Sequence, residues 1–163
     1  VSASTGLPGV VQGALHTLQG AGAADFSHLL RVYWEDTDAG GVVFYANYLK
    51  FFERARTEWL RSLGVAQQAL REATGAIFIV ADTALHYRAP ARLDDLLRIT
   101  VRPLDTGRAS MTLAQQAWRM PADPADTAAP LLLCEGNIRI GCVDAGSFRP
   151  RRFPSPITEA LCP

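Results

Sequence analysis

The residues best suited to chemistry stand together in the stretch Glu35-Asp36-Thr37-Asp38-Ala39-Gly40-Gly41. Two aspartates one residue apart, followed by paired glycines that accept dihedrals other residues resist, describe a tight turn carrying carboxylates. The short apolar run Val42–Phe44 then feeds into a helical pattern. The first turn of a helix has unpaired backbone N–H groups and the positive end of the helix dipole. Such groups polarise a carbonyl and hold the oxyanion that forms when it is attacked. A carboxylate folded back against them can attack the carbonyl carbon or deprotonate a water. Asp38 and the amides near Tyr45–Asn47 are therefore a candidate acyl-transfer pair. The plainer alternative is that Asp36 and Asp38 only satisfy amides of their own turn.

Other chemistries find less support. No GxSxG elbow, P-loop, HExxH or strand-following GxGxxG is present. His16, His28 and His86 are scattered, and Cys134, Cys142 and Cys162 show no CxxC spacing, so neither a metal site nor a disulfide framework is expected. Asp36-x-Asp38-x-Gly40-Gly41 opens like a calcium loop, but its twelfth position is Asn47 and not glutamate.

The elements that must position the turn are legible on either side of it. Leu29–Glu35 reads as a strand rich in β-favouring residues. Tyr48, Phe51, Phe52, Ala55, Trp59 and Leu63 recur at helical spacing, with Gly64 where a C-cap belongs. That aromatic stripe is a core face wide enough for a sheet to wrap. A shorter helix is expected over Val65–Glu72, ending near Gly75. Ile77–Arg88, Leu96–Leu104, Ser110–Arg119 and Pro130–Val143 then read as four long strands, with a tight turn at Thr106-Gly107. One strand, one long helix and an antiparallel run of strands predict an α+β sheet wrapped on a helix.

At 163 residues the chain suits one domain, and 48% hydrophobic with 20% charged residues excludes wholesale disorder. Residues 1–25, with five glycines and Asp25 as the one charge, read as a flexible leader. The folded domain is expected over residues 26–154. The tail, residues 155–163, follows a proline-rich stretch from Phe148 that reads as extended surface chain. Sixteen Lys plus Arg balance sixteen Asp plus Glu, which offers no broad basic surface for nucleic acid. The longest apolar run, Ala76–Ala81, is far too short to span a membrane, and reduced thiols suit the cytoplasm.

Tyr33-Trp34-Glu35-Asp36-Thr37-Asp38-Ala39-Gly40-Gly41-Val42-Val43-Phe44-Tyr45-Ala46-Asn47-Tyr48 closely resembles the opening motif of hotdog-fold acyl-CoA thioesterases. The resemblance is to the 4-hydroxybenzoyl-CoA thioesterase family, closest to its Tol-Pal-associated branch. It continues through Leu49–Arg61 and resumes at Tyr87-Arg88-Ala89-Pro90-Ala91-Arg92-Leu93-Asp94-Asp95 and at Arg149-Pro150. It implies a hotdog fold, assembly as homodimers or homotetramers with the thioester site at the dimer interface, and hydrolysis of acyl-CoA to a carboxylic acid and free CoA.

By this resemblance Asp38 is the catalytic nucleophile or general base, and the backbone N–H of Tyr45 polarises the carbonyl. Arg108 matches a cation that holds coenzyme A phosphates, or else is an ordinary solvated turn residue. Asn47 positions the substrate or caps and packs the helix. No cofactor or metal is implied beyond the coenzyme A of the substrate, and an acyl carrier protein is the alternative acyl donor. Many Tol-Pal-associated members have histidine where this chain has Tyr45, but an N–H does not depend on its side chain. Two rival readings are a non-catalytic acyl-thioester binder or scaffold and a hotdog dehydratase. The dehydratase would need a histidine that the turn-to-helix segment lacks.

Overall fold

The aromatic stripe forms the helix its spacing predicts. In the computed structural model, which describes residues 26–123, 125 and 127–161, helix α1 runs Asn47–Ser62. Phe51, Phe52 and Ala55 are fully buried, and Tyr48, Trp59 and Leu60 nearly so. Burial of each large side chain is worth roughly 1.5–3 kcal/mol. The helix stops in a Schellman motif. Gly64, with φ +79°, donates to Arg61 O and Val65 donates to Leu60 O, both at 2.9 Å. Helix α2, Gln67–Thr74, stops at Gly75, which also has positive φ.

Five antiparallel strands wrap α1: β1 (Phe26–Arg31), β2 (Ala76–Tyr87), β3 (Leu96–Thr106), β4 (Ser110–Arg119) and β5 (Leu131–Asp144). Their order is β1-β3-β4-β5-β2. Residues facing α1 alternate with residues on the open face, as expected of a sheet covered on one side. Leu97, Ile99 and Val101 of β3 and Leu113, Gln115 and Ala117 of β4 are fully buried. This is a hotdog fold, with the helix as its filling. The order leaves β2 at one edge, and its central residues, from Ile79 to Ala84, are exposed.

The later helices and strands lie within two residues of the bounds read from sequence, and the larger differences are at the first strand and the tail. The strand expected over Leu29–Glu35 starts earlier and stops at Arg31, and Trp34–Asp36 forms a 3-10 turn. The cause is local: the Asp36 carboxylate accepts the Tyr33 N–H at 2.9 Å and curls the chain away from the sheet. The tail is less superficial than its prolines suggest. Phe153 and Ile157, the latter in helix α3 (Ser155–Leu161), are buried in the core. The leader read over residues 1–25, together with Cys162, lies outside the described residues.

Candidate active site

The acidic turn is the tip of a tight hairpin. Asp38 N–H donates to Val42 O at 2.9 Å, Thr37 bridges to Val43, and Phe44 N–H donates to Asp36 O at 2.9 Å. The exposed Asp38 carboxylate accepts the Gly40 N–H through Oδ1 at 2.8 Å. Both glycines serve this geometry. A Cβ on Gly40 would lie 3.1 Å from Asp38 Oδ1, and Gly41 has φ +72°. The plain alternative therefore holds for one oxygen of Asp38, while Oδ2 makes no hydrogen bond among the described residues. Asp36 is different. It is buried, its carboxylate on the Tyr33 amide and its carbonyl on Phe44 and Asn47.

The hairpin runs straight into α1, whose N-cap, Ala46, has no side-chain cap. The amides of Tyr45 and Ala46 donate to no acceptor among the described residues. Asp38 at the tip and Tyr45 at the base are separated by two to three residue steps, on the order of 7–10 Å.

Three further groups fix the head of the helix. Asn47 is buried and its Nδ2 donates to Asp36 O at 2.9 Å, so its side chain ties the helix to the acidic turn. Of the roles open to it in the sequence, this geometry matches packing, since the side chain ties the helix to the turn without capping it. Tyr48 Oη accepts the Ala91 N–H at 3.1 Å, and Ala91 O accepts the Val43 N–H at 2.9 Å. Burial pushes the Tyr48 hydroxyl above its ordinary pKa and keeps it neutral. Tyr87, the last residue of β2, donates its hydroxyl to Tyr45 O at 3.0 Å. The sequence reading gave Tyr87 no role. The available signal was its position opening the second block of resemblance, where a long strand breaks at Ala89-Pro90.

Beside these residues lies a cleft of about 310 Å³, lined by Val43, Tyr45, Tyr48, Tyr87, Ala89 and Pro90. A larger cavity of about 530 Å³ opens between α1 and the β2 side of the sheet, with Leu49 and Arg56 facing Val80 and Ile138. Arg56 is buried there and donates to the fully buried Gln115 at 2.7 Å. Under Tyr87, burial pushes the Cys134 thiol up to about 12, so it is no nucleophile. Among the described residues no three His, Cys, Asp or Glu stand together to hold a metal.

Arg108 is not brought to this site within one chain. Its turn follows β3, which begins just after Asp95, whose carbonyl accepts the N–H of Val32, four residues before Asp36 of the acidic turn. The length of β3 sets Arg108 roughly 30 Å from that end. It is exposed, and its carbonyl accepts the Phe153 N–H at 2.9 Å.

The profile of the thioesterase-like superfamily matches residues 32–161. The acyl-CoA thioesterase YbgC of Haemophilus influenzae is 41% identical over 136 residues, covering 83% of this chain and 93% of that protein. The structure of a probable thioesterase from Bartonella henselae is 30% identical, with a TM-score of 0.67 over 81% of this chain and all of that one. The 1,4-dihydroxy-2-naphthoyl-CoA thioesterase of Synechocystis shares the fold at a TM-score of 0.73 and 21% identity, over 85% of this chain and 96% of that one.

Proposed function

The chain belongs to the thioesterase-like superfamily, and from that premise we propose how this acyl-CoA thioester hydrolase divides its chemistry between Asp38 and the head of α1. The observation that carries the proposal is one rigid hairpin presenting a carboxylate at its tip and unclaimed amides at its base. The thioester carbonyl lies against the Tyr45 and Ala46 N–H groups, which stabilise the oxyanion. Fixed donors of this kind are typically worth about 2.7–4 kcal/mol in the transition state.

Asp38 then acts as general base or nucleophile. As a base it takes a proton from water while the water oxygen bonds to the carbonyl carbon. The C–S bond breaks with its electron pair on sulfur, and the CoA thiolate takes up a proton. As a nucleophile it forms an acyl–aspartyl anhydride, expelling the same thiolate, and water then cleaves the anhydride. A single turnover in ¹⁸O-water identifies the nucleophilic route when water attacks the aspartyl carbon of the anhydride, because the label then enters Asp38 and an Asp38 oxygen leaves in the product.

A second copy completes the site. β2 is a 12-residue edge strand with Ile79 and Val80 exposed, and such an edge calls for a partner. Antiparallel pairing of two β2 strands about a two-fold axis sets the Tyr87 end of one beside the Ile79 end of the other. The Arg108 turn flanks that Ile79 end, through Ser110 paired to Gly141 and Gly141 paired to Ile79. Arg108 of the partner subunit thereby reaches the CoA phosphates of a thioester held at Asp38. Pairing of two such dimers gives the tetramer. No helix among the described residues is long and apolar enough to cross a membrane. Free, buried Cys134 and Cys142 support a cytoplasmic enzyme.

Thiol release from benzoyl-type, short-chain and long-chain acyl-CoAs, in wild type and Asp38→Asn, tests the reading. A loss beyond about a hundredfold, equivalent to roughly 2.7 kcal/mol, is expected with the fold unchanged. Equal rates would remove Asp38 from the mechanism. Turnover only with acyl carrier protein thioesters would replace CoA as the carrier, and binding without any thiol release would restore the scaffold reading.

A further inference from the structure

We propose that Tyr87 is a positioning residue for thioester polarisation, its hydroxyl orienting and strengthening the amide donors at the head of α1. The inference rests on the reading that those amides hold the thioester carbonyl. Tyr87 Oη donates to Tyr45 O at 3.0 Å across 42 residues of sequence. That carbonyl is open to a side chain because the helix does not use it. Leu49 N–H, its partner in a helix begun one residue earlier, bonds instead to Ala46 O at 3.1 Å.

The Tyr45 carbonyl and the Ala46 N–H belong to one planar trans peptide unit, so fixing the oxygen fixes the N–H, which points the opposite way. A hydrogen bond accepted by a carbonyl also draws electron density from its nitrogen and makes the attached N–H a better donor. The neighbouring unit is treated alike by the backbone: Phe44 O accepts the Asn47 N–H at 2.8 Å, which polarises the Tyr45 N–H. Both unclaimed amides thus sit on peptide units whose carbonyls are hydrogen-bonded, and Tyr87 supplies the bond the backbone does not.

The ring is held for this purpose from two sides, edge-on to Tyr48 at 5.7 Å and to Tyr45 at 6.5 Å between centroids. Burial, with Cys134 and Tyr45 adding to it, raises the hydroxyl pKa, so the group remains a donor throughout the neutral range.

Tyr87→Phe keeps the ring and removes the donor. The expected result is a kcat lowered about 5- to 30-fold with KM within twofold and an unchanged melting temperature. A second readout is independent of turnover: the carbonyl stretch of a ¹³C-labelled acyl-CoA bound to Asp38→Asn. It should move to lower wavenumber on binding, and move less in Asp38→Asn/Tyr87→Phe. An unchanged kcat and an unchanged carbonyl shift would overturn the proposal. So would a kcat loss accompanied by a fallen melting temperature and an unchanged carbonyl shift, which is the mark of packing alone. If the Asp38→Asn complex itself shows no shift, amide polarisation by α1 fails, and the role of Tyr87 falls with it.

Discussion

The buried side-chain amide of Asn47 donates to the backbone carbonyl of Asp36 at 2.9 Å, joining the first residue of α1 to the acidic turn eleven residues earlier. The same carbonyl accepts the Phe44 N–H, so one oxygen gathers the turn, the returning strand and the helix. Asp38 and the Tyr45 amide are set relative to each other through this junction, so the geometry of the proposed site depends on it.

Replacing Asn47 by Ala deletes a buried donor and leaves the Asp36 carbonyl with one partner in place of two. A destabilisation of about 1–2 kcal/mol is expected in urea unfolding. Because the hairpin loosens, kcat should fall at least tenfold. An Asn47→Ala protein with full kcat and raised KM would instead assign the side chain to substrate binding.

The two glycines of the turn should fail in different ways. Gly41 has φ +72°, and Gly41→Ala should cost roughly 1 kcal/mol of stability or more. Gly40 stands against Asp38 Oδ1 at 3.1 Å, so an added methyl displaces the carboxylate. Gly40→Ala should therefore lower kcat with little effect on thermal unfolding. Equal behaviour of the two variants would contradict the assignment.

The divided placement of Asp38 and Arg108 predicts complementation between chains. Arg108→Gln should raise KM for acyl-CoA about tenfold, the loss of roughly 1.4 kcal/mol from a charge-assisted phosphate contact. The corresponding N-acetylcysteamine thioester, which has no phosphates, should be unaffected. Mixing Arg108→Gln with Asp38→Asn chains under exchange should create dimers in which one site has both residues intact, restoring a low-KM component. Mixtures showing only the high KM of Arg108→Gln would place the phosphate contact within one chain.

Alkaline pH should unfold the protein in a way traceable to Cys134. Its thiol is pushed up to about 12 by burial, with neighbouring Glu135 adding to the rise, against an ordinary value near 8.5 once unfolded. The raised folded value means that the unfolded state holds fewer protons between those limits. The stability contributed by the neutral thiol is therefore complete below about pH 8.5 and is lost progressively as pH rises towards 12. Tyr48 and Tyr87, both raised by burial, act in the same direction. Cys134→Ala should flatten this limb in urea titrations between pH 8 and 10.5. A slope equal to wild type would show that Cys134 does not titrate on unfolding.

Much of this architecture is set locally and was therefore legible in sequence. The spacing of Tyr48, Phe51, Phe52, Ala55 and Trp59 determined α1 and its buried face, because only a 3.6-residue period puts those side chains on one side. Gly64 and Gly75 marked the ends of the helices, since each end needs a positive φ. The acidic turn with its glycine pair, feeding a helix, was enough to make Asp38 and the amides near Tyr45–Asn47 a candidate pair, and the family resemblance narrowed the amide to Tyr45.

What sequence left open depends on contacts between distant segments. It offered Asn47 two roles, and the fold turned its amide inward, onto a backbone carbonyl with no sequence signature. It read the tail as surface chain, whereas the sheet gave Phe153 and Ile157 an apolar end to cover. It assigned Tyr87 nothing, because a hydroxyl that meets a carbonyl 42 residues away has no local pattern. It matched Arg108 to a phosphate-binding cation without saying which subunit supplies it, and the span of β3 separates Arg108 from Asp38 within one chain. Side-chain period and glycine dihedrals are properties of a few neighbouring residues, so sequence by itself determined the helix and the turn. Hydrogen bonds across the fold and the span of a sheet belong to the assembled chain, and only tertiary structure decided what those elements touch.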